Sequence, residues 1–213
     1  MPGPISRKGL FAGIGWIALS VLSYELINHL QHQKLISLAT SWDAATPLLP
    51  IFVVPYLSFI PLVFVLLPWL ISSNRIVFRN YTLALFISQM VMNLLYWLIP
   101  ATVIRPKLTG GDPFTVLLRD LVWRVDEPVN TFPSNHVTFS VIAILALSAI
   151  KLGKPWVLLL QIWLVLVCAS TLLVHQHVYA DVVAGAVLGL ATFGLLNLLS
   201  AKRLELPDHN SGQ

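Results

Sequence analysis

Charge is what this chain has least of. Of its 213 residues only 10% are Asp, Glu, Lys or Arg, while 57% are hydrophobic. Soluble domains carry about 25% charged and about 45–50% apolar residues. A soluble globule, a disordered chain and a coiled coil are all disfavoured by that shortage. Cysteine is almost absent as well. The single Cys168 has no partner for an internal disulfide, so the redox compartment cannot be read from it. Internal repeats, low-complexity stretches and a separate soluble domain are lacking too. The formal net charge is +4, but the basic residues sit in short loops and are not gathered on one face. Membrane topology accounts for them better than nucleic acid does, and no nucleic-acid partner is expected.

What the chain has in quantity is long apolar runs, with a mean hydropathy of +0.81. A helix needs about 20 apolar residues to cross a bilayer. Six runs qualify, at about Gly9–His29, Leu48–Ile71, Tyr81–Ile104, His136–Ile150, Pro155–Val174 and Val178–Ser200. The fourth is short. The second holds Pro50, Pro55, Pro61 and Pro68, which predicts bends or a late start. The expected fold is an all-α integral membrane protein with six transmembrane helices in one domain over 1–206, followed by a polar tail over 207–213.

Lys and Arg in short loops set orientation. One side would hold Arg7, Lys8, Arg75, Arg79, Lys151, Lys154, Lys202 and Arg203, the other Lys34, Arg105, Lys107, Arg119 and Arg124. Asp43, Asp112, Asp120, Asp126 and Glu127 fall on the second side. Both termini are therefore expected in the cytoplasm, with the first run an uncleaved signal-anchor. On the outer side, Asp112-Pro113 reads as a helix start. Phe114, Leu117, Leu118, Leu121, Val122 and Val125 then recur at helical spacing, which predicts an amphipathic interfacial helix over 112–126. A loop helix that closes the bundle fits the same pattern.

Only Glu25 and Asp181 carry charge inside the runs. Glu25 lies near the outer end of the first, beside Asn28 and His29, where reaching the headgroups explains it. Asp181 has a partner: His177 precedes it by four residues and shares its helix face. A carboxylate one turn away can hold the imidazole Nδ1–H and leave Nε2 as nucleophile or base. A second polar cluster, Phe132-Pro133-Ser134-Asn135-His136, opens the fourth run. Pro133 breaks any helix from upstream, and a helix N-terminus offers free N–H groups to a phosphate. A third element, Arg105-Pro106, brings the residue type suited to bidentate phosphate recognition. Under the six-run topology all three fall on the outer side.

FPSNH at 132–136 followed by STLLVHQHVYADVVAG at 170–185 resembles the type 2 phosphatidic acid phosphatase (PAP2) superfamily, which is related to vanadium haloperoxidases. The family motifs are K-x6-R-P, P-S-G-H and S-R-x5-H-x3-D. Arg105-Pro106 matches the end of the first; Pro133, Ser134 and His136 match the second; Ser170, His177 and Asp181 match the third at full spacing. Leu98 stands where the first motif has Lys, Asn135 replaces Gly (Asn also accepts positive φ), and Thr171 replaces Arg. This form is similar to the branch that includes inositol phosphorylceramide synthases and many bacterial relatives. Lys107, His175 or an outer-loop Arg would supply replacement charge.

The resemblance implies a PAP2/haloperoxidase-like helical bundle and a lipid phosphate phosphatase working through a phosphohistidine. His177 would be the nucleophile, Asp181 its orienting carboxylate and His136 the general acid and base. Arg105, Ser134, Asn135, Ser170, Thr171 and Lys107 are the candidates for phosphate binding. The substrate would be a phosphomonoester or pyrophosphate lipid. Alternatives are transfer of a phospho-headgroup to an alcohol acceptor and a catalytically silent membrane binding protein. No cofactor and no metal is expected, since alternation at a helix end points His175 and His177 apart. The expected location is a bacterial inner membrane with a periplasmic site, or else an ER or Golgi membrane with a lumenal one.

Overall fold

A computed structural model describes residues 3–30, 34–150 and 153–205. The polar tail over 207–213 and Lys151 lie outside the described residues, as do the side chains of Lys154 and Arg203. Five helices are long and apolar enough to cross a membrane: Arg7–Leu30, Pro50–Ile71, Arg75–Leu98, Pro155–Leu173 and Tyr179–Lys202. We label the helices α1 (Arg7–Leu30), α2 (Ser41–Ala45), α3 (Val53–Pro61), α4 (Leu67–Ile71), α5 (Arg75–Leu98), α6 (Pro113–Leu117), α7 (Trp123–Val125), α8 (Asn135–Ser148), α9 (Lys154–Leu173) and α10 (Tyr179–Glu205). The chain is an all-α membrane protein.

The fourth expected span is α8, and it has only 14 residues. At 1.5 Å per residue it rises about 21 Å, short of a hydrocarbon core of about 30 Å. Pro133 blocks its extension upstream. It packs on α5, α9 and α10, so Phe139, Ile142, Ala143 and Leu147 are buried in the bundle. A helix enclosed by longer neighbours need not match the bilayer by itself.

The four prolines of the second run have a visible effect. A 3₁₀ turn (Pro50–Phe52) leads into α3, a π turn (Leu62–Leu66) follows, and α4 continues. In a π turn each carbonyl meets the amide five residues on. For Val63 that is Pro68, which has no N–H. The Tyr81 hydroxyl of α5 donates to the Val63 carbonyl instead, at 2.7 Å, with Tyr81 fully buried.

Small residues let helices approach. A Cβ on Gly185 of α10 would lie 2.7 Å from the Ser134 carbonyl, and one on Gly189 would lie 2.6 Å from the Thr138 carbonyl. This close contact seats α10 against the start of α8. The far end of α5 is tied to α10 by polar groups: Asn80 donates to Asn197 at 2.8 Å and Arg79 to Ser200 at 2.9 Å.

The loops at the other end are ordered by short extended pieces. β1 (Ile36–Ser37) pairs in parallel with β2 (Ala101–Thr102), and Thr102 bridges Val129. The segment from α6 to α7 is helical through a π turn at Leu118–Val122. Its apolar face divides in two. Leu118 and Val122 pack with Val53, Tyr56 and Val174, while Phe114, Leu121 and Val125 stay exposed.

Candidate active site

Three pieces of chain meet at the head of α10. The first is the end of α9. His175 adopts φ 53°, a left-handed stop after the helix. The Thr171 carbonyl then accepts the amides of both Gln176 and His177, which turns those two side chains inward. The second is the start of α8, where the Ser134 amide donates to the Asp181 carbonyl at 3.0 Å. The third is the 129–131 segment, anchored when the Thr131 amide donates to the Ala101 carbonyl of β2.

These pieces converge on His177. Its Nδ1 lies 3.0 Å from the Thr131 carbonyl and 3.3 Å from Asp181 Oδ2. Both partners are acceptors, so Nδ1 carries the proton and Nε2 keeps its lone pair. Asp181 is fully buried, and its Oδ2 also accepts the Val178 amide at 3.0 Å. Its Oδ1 has no hydrogen-bond partner among the described residues. A carboxylate held in this way stabilises positive charge on the ring.

The His136 ring centroid is 6.3 Å from that of His177. It is sandwiched between Tyr56 at 4.3 Å and Phe59 at 4.1 Å, both from α3. Stacking on two faces fixes the ring plane and confines polar contacts to the ring edge. Both histidines line a cavity of about 440 Å³ with walls from α1, α3, α5, α8 and the 121–131 segment. Its apolar part is built by residues such as Val21, Leu57, Ile60 and Phe64, and its polar part by Asn28, Asp126, Glu127, Asn130 and Gln176. Val21 and Ile60 are exposed on the apolar flank of the bundle.

The other motif residues separate into those at the cavity and those behind it. Asn135 lines it and donates to Gln89 at 2.7 Å, while Asn135 Oδ1 is unpartnered among the described residues. Asn135 is the first residue of α8, not a left-handed position; positive φ occurs instead at Asn130 and His175. Ser134 is fully buried and caps α8 through the Val137 amide, so its hydroxyl faces its own helix. Ser170 and Thr171 likewise donate to the Val167 and Cys168 carbonyls and do not line the cavity. Lys107 is exposed and outside the cavity wall.

Arg105 stands just behind the wall. It donates to the carbonyls of Trp123 at 3.0 Å and Asp126 at 2.6 Å, and to the Gln176 side chain, and lies over the Trp123 ring. Burial draws its pKa down, partly offset by Asp126, Tyr56 and Glu127. Asp126 in turn accepts from Tyr56 at 2.5 Å and from Gln176 at 3.2 Å. Tyr56, Phe59, Gln89 and Asp126, outside the motifs, and Gln176, at a variable position of the third, thus also build the site. The one sequence signal was Gln89 with Asn93, two amides one turn apart in an apolar run and hydrogen-bonded at 2.7 Å. Glu25, which headgroup contact explained in the sequence, lines the cavity.

His175 turns away, with Nε2 3.3 Å from the Thr46 carbonyl. It lines a second cavity of about 320 Å³ with Asp43 and one side of His177. The 34–49 segment covers this region. Leu49 donates to the Leu173 carbonyl at 2.8 Å, and Asp43 accepts the Tyr179 amide.

No curated protein and no solved structure gives a significant match to the chain. The family model of the PAP2 superfamily matches residues 78–205, more than half of the chain, and the matched stretch runs from α5 to α10 and contains every residue of the three motifs. The chain belongs to the PAP2 superfamily.

Proposed function

We propose that this protein cleaves a phosphate ester of a membrane lipid by double displacement at His177. PAP2 membership supports a phosphatase or phosphotransferase type of activity. The observation that carries the finer reading is the pair of acceptors on His177 Nδ1, which leaves Nε2 as the free nucleophile. In the first step Nε2 attacks phosphorus, and the bond from phosphorus to the leaving oxygen breaks with its electron pair on that oxygen. His136, in its protonated form, gives that oxygen a proton. In the second step His136 takes a proton from water or an alcohol. The new oxygen attacks phosphorus, and the N–P pair returns to His177. Asp181 balances the positive ring throughout. Developing charge on the phosphoryl oxygens is met by the second N–H of the Asn135 amide, the first being given to Gln89, with Arg105 behind it. No metal is required by this sequence of steps.

Hydrolysis of a phosphomonoester or pyrophosphate lipid is the simplest form. Transfer of a phospho-headgroup to an alcohol uses the same site, and is favoured by one specific observation: among the described residues no Lys or Arg lines the cavity, whereas Glu25, Asp126 and Glu127 do. We place the site on the periplasmic face of a bacterial inner membrane, following the loop charges. The test is a panel of lipid phosphates given to purified protein in EDTA, with and without inositol or diacylglycerol, following inorganic phosphate and new lipid. A rapid quench should trap an acid-labile phosphohistidine that His177→Ala lacks. Undiminished turnover in His177→Ala overturns the nucleophile, and loss of activity in EDTA overturns the metal-free steps. A tag in the 108–130 loop should be labelled from the periplasm of intact cells.

A further inference from the structure

The charge around His136 and His177 is opposite to what a doubly charged phosphate requires. Three carboxylates line the cavity, Glu25 from α1 and Asp126 and Glu127 from the loop after α7. Asp126 is balanced by Arg105, whose guanidinium is engaged by the Trp123 and Asp126 carbonyls and Gln176. Glu25 and Glu127 are exposed, and neither forms an ion pair among the described residues. A phosphomonoester brings about −1.5 to −2 charges at pH 7, and would meet these two carboxylates with no cation in the wall. A phosphodiester carries only −1, and one with an ammonium group on its headgroup is neutral overall.

Two further observations point to a ligand that bears oxygen and donor groups. Thr131 is 3% exposed and lines the cavity, yet its hydroxyl has no hydrogen-bond partner among the described residues. Asn135 Oδ1 is unpartnered on the same wall. A buried polar group left unpaired is costly, so both are suited to a ligand: the Thr131 hydroxyl to donate to a phosphoryl oxygen, Asn135 Oδ1 to accept. The half-buried Tyr24 ring lines the same space and suits an alkylammonium, which is attracted to aromatic faces. The cavity is also graded along its length. From Tyr56 to Phe64 the wall descends eight residues, about 12 Å, from the polar end toward apolar residues that suit acyl chains.

We infer that the substrate at this site is a zwitterionic phospholipid, a phosphodiester with an amino-alcohol headgroup whose ammonium sits between Glu25 and Glu127. This rests on His177 being the nucleophile. His177 Nε2 bonds to phosphorus, the bond to the diacylglycerol oxygen breaks, and His136 protonates that oxygen. The phospho-amino-alcohol remains on His177 until water or an alcohol takes it and the N–P pair returns to the ring.

The test needs no knowledge of the natural acceptor. Labelled diacylglycerol is added to purified protein in micelles of phosphatidylethanolamine, phosphatidylglycerol or phosphatidic acid with matched chains. Exchange of the label into phospholipid reports the first step and its reversal. Exchange should be at least tenfold faster with phosphatidylethanolamine than with either other lipid. In the Glu25→Gln/Glu127→Gln double variant that preference should fall by about 3- to 10-fold, the scale of two exposed ion pairs. The preference is a ratio on one protein sample, so partial misfolding does not imitate the effect. Phosphatidic acid or phosphatidylglycerol exchanging as fast as phosphatidylethanolamine overturns the inference, as does a preference unchanged in the double variant. If the exchange with phosphatidic acid is the faster and disappears in His177→Ala, the inference fails while the proposed nucleophile stands. If no lipid exchanges in a His177-dependent way, the nucleophile itself is wrong and the inference falls with it.

Discussion

Asp43 accepts a hydrogen bond from the Tyr179 backbone amide at 2.8 Å, across 136 residues of sequence. Tyr179 is the first residue of α10, and a helix N-terminus leaves its first amides without partners. The carboxylate of α2, in the connection between α1 and α3, therefore caps the helix that carries Asp181. Through this contact the 34–49 segment, outside all three family motifs, helps to hold the His177–Asp181 turn in place.

Removing that cap should cost what a helix cap is worth, about 0.5–2 kcal/mol. Asp43→Ala is expected to lower the thermal midpoint in detergent, with Asp43→Asn recovering part of the loss because its amide oxygen still accepts. The pH dependence has a definite sign. Burial pushes the Asp43 pKa up, but hydrogen bonds from Thr40 and Tyr179 outweigh it and hold the value below the ordinary carboxylate range. The charged form is thus favoured by folding. Its contribution is present above about pH 4 and is lost as pH falls through the lowered value. The stability gap between the wild type and Asp43→Ala should close below that pH, and a gap that widens there would sink the assignment.

Asp181→Asn should reduce kcat by about 10²- to 10⁴-fold, the range for losing an acid–base or orienting group. An amide NH₂ in place of Oδ2 opposes the His177 Nδ1–H and the Val178 amide, both of which need an acceptor. Thr131→Ala is the counterpart. Its carbonyl, the other acceptor on His177, belongs to the backbone and survives the substitution, so nucleophile trapping by rapid quench should persist.

Gly185→Ala should disturb the fold and the site together. The added methyl group would stand 2.7 Å from the Ser134 carbonyl, and backbone cannot move aside cheaply. Overpacking of this kind costs about 1–3 kcal/mol or more, and here it also shifts the start of α8, which carries Asn135 and His136. Gly194→Ala is the control, with nothing within 4 Å of its added carbon. Thermal midpoints and kcat of the two variants should diverge sharply; equal effects would contradict the close approach.

Tyr81→Phe should destabilise the bundle by about 1–3 kcal/mol without touching the site, because it leaves the Val63 carbonyl unpaired in an apolar interior. Unfolding in a denaturing detergent titration would register the loss, with kcat of the folded fraction unchanged.

The membrane class, the helical content and the three polar clusters were legible in the order of residues alone. Those follow from local rules: runs of about 20 apolar residues, prolines that end helices, and the i, i+4 spacing of His177 and Asp181. The prolines of the second run announced a bend, and the π turn at Leu62–Leu66 is its form. Which motif residues reach the cavity depended on how the helices pack. Ser134, Ser170 and Thr171 have the right types, but their hydroxyls answer nearby groups of their own helices, a local competition that spacing does not register. Nor did spacing announce the aromatic clamp of Tyr56 and Phe59 on His136, the Thr131 carbonyl on His177, or Asp43 on Tyr179. Each is a contact between residues 46 or more positions apart in sequence. Such pairs meet only when helices pack at a set distance, and that distance is decided here by glycines at 185 and 189 and by the short α8.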